Sequence, residues 1–203
     1  MSRYNKLPFA RGKSAYQNQS TSDWDITSLA HLEGQKVYLP NSAAATPEVR
    51  RNGTDVVAIV VRNDSGGTLA AGEALWWKTA YHGTRVDKST AGDNNPVAGF
   101  VDDHVGSGGV QDDDLFYMIV EGPCVVKTLS GGTAHASTEL VEGGLVVASG
   151  TAGKIHAVGA TADADGADAA TEWNVCGRVI LESGSAVAVS LGTDILINVK
   201  INA

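Results

Sequence analysis

Apolar positions along this chain fall in short runs rather than in helical stripes. From Asp55 onward, β-branched and apolar stretches alternate with Gly, Asp and Asn, and almost no segment would sustain a helix of three turns. The pattern predicts strands at 55–62, 73–79, 97–101, 115–120, 123–128, 144–148, 154–158, 175–181, 186–190 and 194–201. In the last of these, Ile195, Ile197, Val199 and Ile201 share one face, while Leu196, Asn198, Lys200 and Asn202 point the other way, as in a strand buried on one side. Ser65-Gly66-Gly67, Ser107-Gly108-Gly109, Ser130-Gly131-Gly132 and Glu142-Gly143-Gly144 lie between the runs, where glycine supplies the positive φ that tight turns require. The expected fold is therefore all-β, a small barrel or sandwich body.

Residues 1–50 read differently. They show no sustained period and are rich in Ser, Asn, Gln and Thr up to about position 28, so they are expected to form an extended N-terminal arm and linker. At most one short helical turn or strand is expected there, at 27–32 or at Lys36-Val37-Tyr38-Leu39. The body then divides into a first β-unit, 51–130, and a second, 131–203, packed as one body or standing as two lobes. The division rests on a weak internal repeat. Ala71-Gly72-Glu73 leads into Ala74-Leu75-Trp76-Trp77, then Pro96-Val97-Ala98-Gly99-Phe100-Val101, then Asp114-Leu115-Phe116-Tyr117-Met118-Ile119-Val120. In the same order, Glu142-Gly143-Gly144 leads into Leu145-Val146-Val147, then Asn174-Val175-Cys176-Gly177-Arg178-Val179, then Asp194-Ile195-Leu196-Ile197-Asn198-Val199.

Composition narrows the class. The chain has 203 residues, enough to bury a core, and its 24 glycines against 5 prolines suit many tight turns. No apolar run approaches the roughly 20 residues needed to cross a bilayer, and the amino terminus lacks a basic-then-apolar export pattern. A soluble protein made in a reducing cytoplasm is expected, with Cys124 and Cys176 as buried free thiols, since they stand far apart and outside any CxxC spacing.

The net charge of −8 is unevenly spread. Residues 1–20 hold Arg3, Lys6, Arg11 and Lys13 and no acid, so the remainder carries 11 basic against 23 acidic groups. An acidic body argues against nucleic acid as a partner. The arm interleaves its charges with Tyr4, Leu7, Phe9, Tyr16 and Trp24, more apolar anchors than a solvated tail requires. Arg3, Tyr4, Leu7, Phe9, Arg11, Tyr16 and Trp24 are accordingly the expected partner-binding residues. Trp76 and Trp77, adjacent on a strand, should face opposite ways, one into the core and the other into the core, an interface or a sugar.

The ordered set Ala71-Gly72-Glu73-Ala74-Leu75, Pro96-Val97-Ala98-Gly99-Phe100-Val101-Asp102-Asp103, Asp114-Leu115-Phe116 and Glu121-Gly122-Pro123-Cys124-Val125 resembles the small β-barrel decoration, or cement, proteins of tailed-bacteriophage heads. The resemblance covers residues 66–128 well and 140–201 more loosely. It implies a structural virion protein on the outer surface of the capsid, bound to the major capsid protein and acting as a homo-oligomer, a trimer for preference. The long arm departs from the family pattern. A carbohydrate- or receptor-binding module of a virion appendage, stacking sugars on Trp76, Trp77 and Trp173, is the alternative.

The sequence carries no GxSxG, GxxxxGK[ST], HExxH, GxGxxG or paired CxxC motif. No enzyme activity, cofactor or metal is expected. His31, His82, His104, His135 and His156 are expected at the surface or in turns, and Asp112-Asp113-Asp114 and the 163–168 acids as solvated turn groups. The latter run lacks the glycine position and the twelfth-position Glu of an EF-hand loop.

Overall fold

A computed structural model describes residues 8–9, 11–12, 31–39, 55–88, 97–128, 143–149, 151–157, 175–180 and 194–201. Among these residues the protein is all-β, with ten strands: β1 Lys36–Leu39, β2 Val56–Asn63, β3 Ala74–Trp77, β4 Arg85–Lys88, β5 Gly99–Val101, β6 Leu115–Val126, β7 Leu145–Ala148, β8 Ile155–Ala157, β9 Val175–Val179 and β10 Ile195–Lys200. They form one continuous sheet in the order β1-β2-β4-β3-β5-β6-β10-β9-β7-β8, and a further β2–β6 pairing closes part of it on itself.

That closure makes a ring of β2, β4, β3, β5 and β6. Every pairing in it is antiparallel except β2 with β4, which is parallel at Arg62↔Arg85 and Asn63↔Val86. The carboxyl half of β6 then begins the same sequence of pairings again. It pairs with β10, β10 with β9, β9 with β7 and β7 with β8, all antiparallel, and a parallel bridge Thr128↔Ile155 leads back to the end of β6.

The correspondence extends to single hydrogen bonds. Gly72 N–H donates to Val101 C=O at 3.1 Å and Val101 N–H to Glu73 C=O at 3.0 Å; Gly143 N–H donates to Val179 C=O and Val179 N–H to Gly144 C=O, both at 2.9 Å. Gly72 and Gly143 both have positive φ, 73° and 77°. Gly99 and Gly177 are both required by close approach: a Cβ would lie 2.7 Å from the carbonyl oxygen of Ile119 in one case and of Asn198 in the other. The repeated Val-x-Gly-x-Val element thus places a side-chain-free residue where β5 crosses β6 and where β9 crosses β10.

Burial explains the two kinds of strand sequence. Val61, Leu75, Val86, Ala98, Val101, Phe116 and Met118 form one core cluster. The alternate residues Ala58, Val60, Phe100, Tyr117 and Ile119 join a second cluster, which runs on through Cys124, Val126, Val146, Ile155, Cys176, Ile197 and Val199. Strands β2 and β6 therefore bury both faces, which is why their sequences are nearly continuous apolar runs. Strand β10 keeps Asn198 and Lys200 exposed and alternates toward its end, although Leu196, expected on the outer face, is buried as well.

Several sequence expectations need correction. The two strands expected at 115–120 and 123–128 are one, because Gly122-Pro123 marks a change of partner from β2 and β5 to β10 instead of a break. Strand β4 was not foreseen: Arg-Val-Asp-Lys buries only Val86, and it is held by pairing with β3 and β2. Asp114 is wholly buried, not solvated, and His156 is buried on β8. The expected strand at 186–190 and the acids at 163–168 lie outside the described residues. Cys124 and Cys176 are buried free thiols, as expected.

Candidate functional site

The end of β5 and the middle of β6 build a socket on the outer face of the first ring. Phe100, Asp102 and Tyr117 share one side of these strands, and Asp102 N–H donates to Tyr117 C=O at 3.1 Å. Val101 is the last residue of β5, so Asp102, Asp103 and His104 form the turn that leaves the sheet. Asp103 is tied down across the barrel: its Oδ2 accepts from Val125 N–H at 2.7 Å.

Residues of the arm fill this socket. The Phe9 ring stacks on Tyr117 at 4.3 Å between centroids and 16° between planes. The Tyr117 hydroxyl donates to Phe9 C=O at 2.7 Å and accepts from Phe9 N–H at 3.3 Å, so one side chain satisfies both backbone groups of the residue that covers it. Two positions on, Arg11 grips Asp102 with a fork. Nε lies 3.2 Å from both carboxylate oxygens and Nη2 lies 3.1 Å from Oδ1, with Asp103 Oδ1 at 3.7 Å from Nη2. Gly12 then passes so close to the turn that a Cβ would lie 2.4 Å from His104 C=O. The spacing aromatic, x, arginine, glycine is therefore matched position by position to this surface.

The electrostatics favour the closed arrangement. The Asp102 carboxylate is only 1% exposed and the Arg11 side chain 11%. Burial pushes the Asp102 carboxyl upward, but the His104 hydrogen bond together with the charge and hydrogen bonds of Arg11 outweigh it and hold the group below the ordinary carboxylate range. His104 is raised, chiefly by its hydrogen bonds to Asp102 and Asp103; its Nδ1 lies 2.9 Å from Asp103 Oδ1. Burial raises the Tyr117 phenol. Asp102, Asp103 and His104 also hold ligand-type atoms within 4.8 Å of one another, the one such group among the described residues. The positive charge at this point is supplied by Arg11, so a metal ion would have to displace the guanidinium.

Of the expected binding residues, Phe9 and Arg11 are brought together here, but against the chain's own body. Arg3, Tyr4, Leu7, Tyr16 and Trp24 lie outside the described residues. Trp76 is buried at 5% exposure and Trp77 is half-buried against the first core cluster, so they face opposite ways as expected and Trp76 offers no open face. The exposed aromatics among the described residues are instead Tyr38 and Tyr81, the latter beneath the Arg85 guanidinium at 4.2 Å. A second ionic group, Glu33 with Arg62 and with Arg85 at 3.9 Å, fastens the turn before β1 to β2 and β4. The roles of Asp102 and Asp103 were missed. In the sequence they appear only as the last letters of the Val-x-Gly-x-Val-Asp-Asp run, and nothing local connects them with Arg11.

The two fused rings and the docked arm define an all-β protein whose described polar chemistry is directed at holding its own segments together. No protein-family model matches the chain, and no curated protein matches it.

Proposed function

We propose that this chain is a structural protein of a tailed-phage virion that binds the outer surface of the capsid lattice, through the major capsid protein, and stabilises it. The observation that carries the reading is that the segments resembling decoration proteins are consecutive parts of one small ring: the turn into β3, the whole of β5 with its Asp-Asp turn, and β6. A rigid body of this kind suits a role in which many modest contacts are summed over a shell. Each aromatic buried at such a contact contributes on the order of 2 kcal/mol.

The test is co-sedimentation of the purified chain with expanded, undecorated heads. Saturable occupancy that protects the heads against heat is expected, and deletion of residues 2–25 should abolish it while the body keeps its β-signature in circular dichroism. No occupancy on any head form, or tryptophan quenching by sugars in its place, would overturn the reading in favour of a glycan-binding appendage module.

A further inference from the structure

We propose that the Phe9–Gly12 segment is an exchangeable plug, and that copies of this chain associate by seating the plug of one in the Asp102–Tyr117 socket of the next. Every described contact of the plug is made with side chains or with the turn at 102–104, and none is a ladder pairing that continues from β1 or β2. The fork onto Asp102, the stack on Tyr117 and the two hydrogen bonds of its hydroxyl would all be made unchanged by the plug of a neighbour.

Reach is not limiting. The chain between Gly12 and His31, residues 13–30, has a contour length of roughly 60 Å at about 3.3 Å per residue, which exceeds the radius of gyration of roughly 17 Å expected for a folded chain of this length. Charge favours the arrangement too, since each copy presents a basic arm and an acidic body and is both donor and acceptor. Where the rotation between successive copies closes, such a head-to-tail contact makes a ring in which each copy gives one plug and receives one, so that the contacts reinforce one another.

The inference requires no capsid and is tested on the purified full-length chain alone, so its failure and that of lattice binding are distinguishable. Sedimentation velocity over a wide concentration range should show a closed oligomer. The Phe9→Ala/Arg11→Ala variant should lose it and run as a monomer that still shows the β-signature. Excess synthetic peptide of residues 5–14 should dissociate the unmodified oligomer, a test that involves no substitution in the protein. A wild-type chain that stays monomeric at every concentration overturns the proposal. So does an oligomer that survives both the variant and the peptide.

Discussion

Replacing Arg11 by alanine probes the pair that contains the most deeply buried carboxylate among the described ion pairs. The substitution removes three contacts of 3.1–3.2 Å from a carboxylate that is 1% exposed and leaves His104, whose Nδ1 lies 3.4 Å from Oδ1, as a remaining partner. Removing one member of a buried pair costs about 3–5 kcal/mol, because the other is left charged and poorly solvated. Continued support from His104 sets the expectation near the lower end, about 3 kcal/mol. With a urea dependence of about 1–3 kcal/mol per molar, the unfolding midpoint should fall by roughly 1–3 M.

The acid limb of stability gives a second reading of the same variant. A carboxyl held low in the folded state contributes stability that is present above its unfolded value and is lost as pH falls through the folded one. Without Arg11 the folded value moves up toward the unfolded one, so the window between them narrows and the variant should lose less stability across the acid limb than the unmodified protein. Replacing both partners with apolar residues, Arg11→Met with Asp102→Leu, should recover most of the deficit. Urea titrations at fixed protein concentration between acid and neutral pH measure all three effects. A loss below about 1 kcal/mol would mean the pair behaves as a solvent-screened surface contact. That result, or a double variant no better than the single, refutes the reasoning.

Two further outcomes are expected. Gly99→Ala and Gly177→Ala should each destabilise by about 1–3 kcal/mol, because the added methyl meets backbone oxygen at 2.7 Å in both rings; a thermal melt in which either is neutral would break the equivalence of the two crossings. Burial pushes the Cys176 thiol up to about 12, and Cys124 is likewise buried, so neither should react with a thiol reagent at neutral pH until denaturant is added; mass spectrometry of labelled native protein checks this.

The fold was legible where burial is one-dimensional. Runs such as Val56-Val57-Ala58-Ile59-Val60-Val61 and the alternation at the end of β10 report their own environment, and the paired glycines announce the turns. Strand β4 was not legible, because its four residues carry three charged side chains and its conformation comes from two neighbours brought by the rest of the chain. The Gly-Pro pair in β6 was misread for a related reason: local punctuation does not distinguish the end of a strand from a change of partner. The socket lies furthest from local pattern. Arg11 and Asp102 are 91 positions apart and Phe9 and Tyr117 are 108 apart, and residue types alone do not say which of many cations meets which acid.

Because β6 serves as the closing strand of one ring and the opening strand of the next, the first ring owns all five of its strands while the second borrows one from it. Cutting the chain there would leave one fragment with a raw edge, so the halves should melt as one cooperative unit. The same economy runs in the other direction: a last strand can always be lengthened into the first strand of another ring, so an architecture of this kind grows by extension at its terminus without any new interface having to be invented.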